Sequence, residues 1–169
     1  MFKRVIVEET KLPADIKYLS EMRDFVTRIG RKYGVGERNI NAFKLAIDEA
    51  ATNIIRHAYR DWDGFIILRM IIRNRTVTVS MTDQGHRFDP RSVKDPDLGR
   101  YVEIGKKGGL GIFIIRRVID DIDYRKTTEG NELRLTKSRE VMPKKQISLP
   151  SLGSAFSMKA RFSVISMPI

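Results

Sequence analysis

The chain contains no cysteine, which excludes disulfides, thiolate metal sites and cysteine nucleophiles. It has two histidines, His57 and His86, too few for a histidine-based metal cage. Its apolar runs fall well short of the roughly 20 residues a membrane helix needs, so no membrane span is expected. The first residues, Met1 to Glu8, alternate like a strand and lack the apolar block of a signal peptide; a cytoplasmic protein is expected. Carboxylates are scarce too: 21 Asp and Glu against 32 Lys and Arg give a net charge of +11, a balance that favours acidic partners. The excess is uneven, since residues 137–169 hold six Lys or Arg and one Glu. No base-stacking aromatic platform or DNA-binding motif accompanies this charge, so direct nucleic-acid binding is not expected.

What is present suits one globular domain with an appendage: 169 residues, 41% of them hydrophobic, suffice for a real core. Residues 2–9 read as a strand. Pro13-Ala14-Asp15 opens a helix expected to run to about Lys32, because proline suits a first helical turn and Ile16, Leu19, Met22, Phe25, Val26 and Ile29 recur at helical spacing. A second helix is expected from Glu37 to Tyr59, with Phe43, Ile47, Ala50, Ile54 and Ala58 as its apolar stripe. Phe65–Ile72 and Val77–Thr82 read as strands about a polar hairpin. Residues 84–107 are rich in glycine, proline and charge, and a loop of that length in a compact domain is usually functional or disordered. A helix over Gly111–Asp120 and strands over Asp121–Lys126 and Glu132–Thr136 complete the pattern. Strict strand–helix alternation is absent. The order predicts an α+β fold, a two-layer sandwich of helices on one face of a mixed or antiparallel sheet. After Lys137 the character changes to Ser, Pro and isolated apolar residues. Residues 138–169 are therefore assigned to a basic C-terminal extension, within which residues 155–166 are expected to pack or pair against a neighbouring surface.

Three short segments carry the chemistry. In Asp48-Glu49-Ala50-Ala51-Thr52-Asn53-Ile54-Ile55-Arg56-His57 the residues Glu49, Asn53 and His57 are spaced i, i+4, i+8 and so lie within about 80° of arc on one helix face. That polar stripe borders the apolar one, where partial burial tunes a carboxylate. An amide oxygen at Asn53 suits a hard cation that is also held by phosphate oxygens, and Glu49 can take a proton from an attacking hydroxyl. In Ser80-Met81-Thr82-Asp83-Gln84-Gly85 a strand ends on a carboxylate with glycine two residues on. Asp83 can accept from an exocyclic amino group, and Gly85 allows close backbone approach. In Lys106-Lys107-Gly108-Gly109-Leu110-Gly111 three glycines open an apolar helix. Exposed N–H groups and the helix dipole there favour an anion, although the P-loop ending Gly-Lys-Ser/Thr is missing. Each segment alone has an ordinary explanation: a solvated helix face, an Asx turn, a hinge before a core helix.

In this order and at these distances the three segments resemble the GHKL ATPase/kinase superfamily, the Bergerat fold, and most closely its anti-sigma-factor serine/threonine kinase branch. The same branch is suggested by His57-Ala58-Tyr59, by Gly109-Leu110-Gly111 followed by Asp120-Asp121, and by Gly130-Asn131-Glu132-Leu133-Arg134-Leu135-Thr136-Lys137. The resemblance covers residues 1–137. It implies an ATP- and Mg²⁺-dependent kinase with Glu49 as catalytic base, Asn53 as Mg²⁺ ligand and Asp83 as adenine contact. His57, Gly85, Gly108, Gly109, Leu110 and Gly111 would shape the nucleotide pocket, and Lys107 would place a cation near the γ-phosphate. Asn131 departs from the branch, which usually has threonine near the adenine site. The substrate implied is a serine or threonine on a small anti-sigma-antagonist (STAS) protein, with a sigma factor as a further partner and a homodimer as the expected assembly. ATP and an acidic protein partner also account for the basic charge. The histidine-kinase branch needs a dimerisation helix carrying its phosphorylated histidine, and none is expected ahead of residue 1. The rival reading is a non-catalytic ATP-binding regulatory (anti-sigma) module with the same pocket. The loop over residues 86–107 would act as the pocket's lid.

Overall fold

The computed structural model describes residues 4–59, 63–87, 89–92, 94 and 110–139. Strand β1 (Ile6–Pro13) leads through a 3₁₀ turn (Ile16–Tyr18) to α1 (Leu19–Lys32) and α2 (Glu37–Ala58). The hairpin β2 (Phe65–Ile72) and β3 (Thr76–Asp83) follows, then a 3₁₀ turn (Pro90–Ser92), α3 (Gly111–Val118), and the hairpin β4 (Asp121–Thr127) and β5 (Gly130–Ser138). The strands form one five-stranded sheet in the order β1-β2-β3-β5-β4. All four pairings are antiparallel.

Register decides which face carries the core. Ile66, Leu68, Met70 and Ile72 of β2 lie opposite Asp83, Met81, Val79 and Val77 of β3, and these continue into Asn131, Leu133 and Leu135 of β5. Directly opposed residues in a ladder share a face, so one face collects nearly every buried apolar side chain of the sheet. Against it pack Met22, Phe25, Val26 and Ile29 of α1, Ile40, Phe43, Ile47, Ala50 and Ile54 of α2, and Ile115 of α3. The result is the two-layer α+β sandwich expected from the sequence. Phe43, Leu68 and Met81 are fully buried in it; truncating one of them to Ala would cost about 2–5 kcal/mol.

Several boundaries differ from the sequence reading. Strand β1 runs to Pro13, which pairs with Phe65, so Pro13 closes an edge strand and does not open a helix. Edge strands tolerate proline because one row of N–H groups is unpaired there. The chain then turns as the Ala14 N–H donates to the Gly64 carbonyl at 2.8 Å and the Asp15 carboxylate accepts from the Lys17 N–H at 3.0 Å. Helix α3 ends at Val118, two residues before the expected Asp120, because Ile119 is already extended. The Asp120 carboxylate instead accepts from the Ser138 N–H at 2.7 Å and the Lys137 ammonium at 3.0 Å. These contacts also draw β5 out beyond the expected Glu132–Thr136.

The ordered fold continues just past Lys137. The Asn39 amide, 2% exposed, donates to the Ser138 carbonyl at 2.8 Å, and the Arg139 guanidinium donates to the Tyr33 carbonyl at 2.8 Å. Residues 140–169, including the segment 155–166 expected to pack on a neighbouring surface, lie outside the described residues. Truncation after Lys137 strands the buried Asn39 amide and should cost roughly 1–3 kcal/mol, measurable as a lower denaturation midpoint.

Candidate nucleotide site

Helix α2 carries both the apolar stripe that seats it on the sheet and, along the border of that stripe, the polar residues singled out in the sequence. Glu49 and Asn53 are half-buried, and His57 is exposed. Asn53 and Ala50 line a cavity together with Asp83 and His86 beyond β3, Ile115 of α3, and Tyr124 and Leu133 of the β4–β5 hairpin. Helix and sheet thus bring the first two sequence motifs to one wall. Among the described residues the free volume in this cavity is about 20 Å³, roughly room for one water.

Asp83 is the electrostatic centre of this cavity. It ends the central strand β3 on the core face and is only 5% exposed. Burial pushes its carboxyl above the usual carboxylate range, while hydrogen bonds from Asn131 and from the Gly85 backbone act in the opposite direction. Its Oδ1 accepts the Gly85 N–H at 2.9 Å and the Asn131 amide at 3.3 Å. Among the described residues these contacts leave Oδ2 without a hydrogen bond. The unbonded oxygen of this largely buried carboxylate, beside an apolar cavity, can accept from a neutral donor such as an amino group.

The Asp83-Gln84-Gly85 turn is gripped from three sides. The Asn131 amide donates to the Gly85 carbonyl at 3.0 Å, the His86 N–H donates to the Ala58 carbonyl at 3.0 Å, and the Gln84 N–H donates to the Tyr59 hydroxyl at 2.8 Å. Gly85 is packed against Ala58 so closely that a Cβ at this position would overlap the helix end. Its glycine character therefore serves the approach of turn to helix, whereas the sequence alone suggested approach to a ligand.

The third motif meets the first at Gly111, where a Cβ would run into the Glu49 carboxylate. Glu49 therefore sits over the first residue of α3, on the helix end where N–H groups are free. Leu110 caps that helix with its backbone, its carbonyl accepting the Ile114 N–H at 2.9 Å. Lys107, Gly108 and Gly109 lie outside the described residues, as does most of the expected lid. Of that lid, the described stretch after the turn is tied down by Arg91. Its guanidinium donates to Asp89 at 3.0 Å, to Asp123 at 3.3 Å and to the Tyr124 carbonyl at 2.9 Å.

The structure thus unites Asn53, Asp83, Gly85 and Asn131, sets Glu49 against Gly111, and leaves His57 off the cavity lining. His86, Ile115, Tyr124 and Leu133 line the cavity without having been singled out. His86 had a sequence signal, its position directly after Asp-x-Gly. The other three read as ordinary core residues. Among the described residues there is no cluster of three or more His, Cys, Asp or Glu able to hold a metal alone, and no helix is long and apolar enough to cross a membrane.

Comparison with known proteins agrees with this fold. The family model described as the histidine kinase-like ATPase domain matches residues 12–137, from the end of β1 to Lys137 near the end of β5. The serine-protein kinase RsbW of Bacillus thuringiensis (strain Al Hakam) is 30% identical over 141 residues, covering 81% of this chain and 88% of that protein. RsbW of Bacillus cereus (strain 03BB102) is 30% identical over the same coverage. The matched residues are most of the chain, and the chain belongs to the histidine kinase-like ATPase domain family.

Proposed function

We propose that the chain is an ATP- and Mg²⁺-dependent serine/threonine protein kinase of the partner-switching type, acting on a small anti-sigma-antagonist (STAS) protein and also binding a sigma factor. The observation that carries this reading is the junction of three motifs: Asp83 and Asn53 on one cavity wall, and Glu49 against the start of α3. The name of the relatives, serine-protein kinase, supports the reaction class.

In this reading Asp83 Oδ2 accepts the adenine amino group and orients the base. The triphosphate then runs from the cavity toward the amino end of α3. There the free N–H groups after Gly108-Gly109 and the cation of Lys107 receive it. The residues fit Mg²⁺ only as a shared ion, because Asn53 offers one amide oxygen and no carboxylate cage surrounds it; phosphate oxygens and water would complete its coordination. ATP supplies the transferable phosphoryl group. Glu49, half-buried beside Asn53 on the same helix face, accepts the proton of the attacking serine or threonine hydroxyl. Phosphoryl transfer relies chiefly on such positioning and charge stabilisation.

A homodimer is part of the proposal. The sheet face turned away from the helices carries Val7 and Phe65, 55% and 52% exposed, on the same side as the half-buried Ile67. Apolar groups gathered on an uncovered sheet face suit contact with a second copy. Phe65→Glu should shift the protein toward monomer in sedimentation experiments; an unchanged dimer would place the contact elsewhere.

Two substitutions test the site. Asp83→Asn should weaken ATP binding about ten- to a hundredfold while raising stability at neutral pH. The sign follows from the raised carboxyl. The native state of the wild type holds its proton more tightly than the unfolded chain does. Its stability is therefore fullest below the unfolded-state range and declines as pH rises through the raised native value. The Asn variant escapes that decline, so its advantage should shrink on acidification. Glu49→Gln should keep ATP binding and lose phosphoryl transfer to the antagonist by 10²-fold or more. Wild-type transfer rates in Glu49→Gln would remove Glu49 as the base. ATP binding without transfer in the wild type would select the non-catalytic regulatory module.

A further inference from the structure

Tyr59 is the first residue past α2 and is 7% exposed. Its hydroxyl bonds the backbone of two separate segments. It donates to the Phe65 carbonyl at 3.0 Å, at the start of β2, and accepts the Gln84 N–H at 2.8 Å, inside the Asp-x-Gly turn. The ring lies flush on Gly64, where a Cβ would collide with it. One side chain therefore joins the end of α2, the entry to β2 and the turn that aims Asp83.

The turn needs this support. Beside it, against Lys11, Asp63, Thr82, Gln84 and Glu129, opens a polar cleft of about 130 Å³, so the Gln84 side lacks the packing that Ala58 gives Gly85. Hydrogen bonds hold it instead. The Gln84 side chain reaches only the Glu129 carbonyl, at 3.5 Å, which is at the limit of a useful bond. The Tyr59 hydroxyl is the short contact on that flank. Burial keeps the phenol protonated well past neutral pH, as donation to Phe65 requires.

We infer that Tyr59 is a positioning residue for adenine recognition: by pinning the Gln84 N–H it fixes the direction in which Asp83 presents its free oxygen. This deepens the proposed assignment of Asp83 to the adenine amino group and rests on it. Tyr59 touches neither nucleotide nor substrate in this role; it acts through the turn.

The test is a double-mutant cycle of Tyr59→Phe and Asp83→Asn. It uses the full chain, with ATP and with purine riboside triphosphate, which has hydrogen in place of the 6-amino group. Tyr59→Phe should weaken ATP binding about three- to tenfold, as expected for a lost neutral hydrogen bond. It should leave binding of the deaminated analogue within twofold, and have no further effect in the Asp83→Asn background. Phosphoryl transfer at saturating ATP should fall less than kcat/KM, and the Gln84 amide should exchange faster with solvent. Equal losses for both nucleotides would make Tyr59 a general structural residue and overturn the inference, as would an unchanged ATP affinity in Tyr59→Phe. A Tyr59→Phe penalty that persists in Asp83→Asn overturns it while leaving the adenine assignment standing. An unchanged ATP affinity in Asp83→Asn alone overturns both. If Tyr59→Phe does not fold, Gly64→Ala, which displaces the ring from its seat, is read by the same nucleotide comparison.

Discussion

A carboxylate buried at the end of the central strand is the constraint around which the site is arranged. Removing Asp83 from water costs free energy in its charged form, and an unpaired buried carboxylate would be intolerable. The fold answers with two donors on Oδ1, the Gly85 N–H and the Asn131 amide. Each donor has its own requirement. Gly85 must turn tightly enough to reach back, so it lies against Ala58 where no side chain fits. Asn131 must face Asp83 across the ladder, which the β3–β5 register supplies.

Helix α2 turns that strand end into a site. Its apolar stripe fixes its height and rotation on the sheet, and the same rotation puts Asn53 on the cavity wall and Glu49 over Gly111. Packing energy and chemistry are therefore set by one rigid body. The contact between Glu49 and Gly111 also ties the carboxylate to α3, so movement of α3 away from α2 would alter both the cavity volume and the surroundings of Glu49.

The opposite face of the sheet is built differently. Thr78 and Thr136 share a hydroxyl hydrogen bond at 3.0 Å, and Arg69 pairs with Glu9 on the neighbouring strand β1 and with Glu129 in the β4–β5 turn. Ser80, fully buried on the central strand, has no hydrogen-bond partner for its hydroxyl among the described residues. Hydroxyls and ion pairs in the centre, with apolar residues toward β1 and β2, leave this face dry enough to be covered and polar enough to remain in water.

The α+β class, the three helices and the five strands were legible because each element is written as a periodicity, 3.6 for α2 and 2 for β2, and burial of one face enforces it. The motif residues Asn53 and Asp83, which the fold brings to one cavity, stood out in the sequence because few residue types supply a hard oxygen ligand or a charged acceptor. Boundaries were not: Pro13 reads equally as a helix opener or the end of an edge strand, and only pairing with Phe65 decides between them. Nor could sequence assign Gly85 and Gly111 to close contacts with Ala58 and Glu49, or find Tyr59, whose two hydrogen-bond partners lie 6 and 25 residues away. Local spacing determines which groups share a helix face or a strand side. Which groups meet across elements is decided by register and helix rotation, and those are set by packing of the whole core.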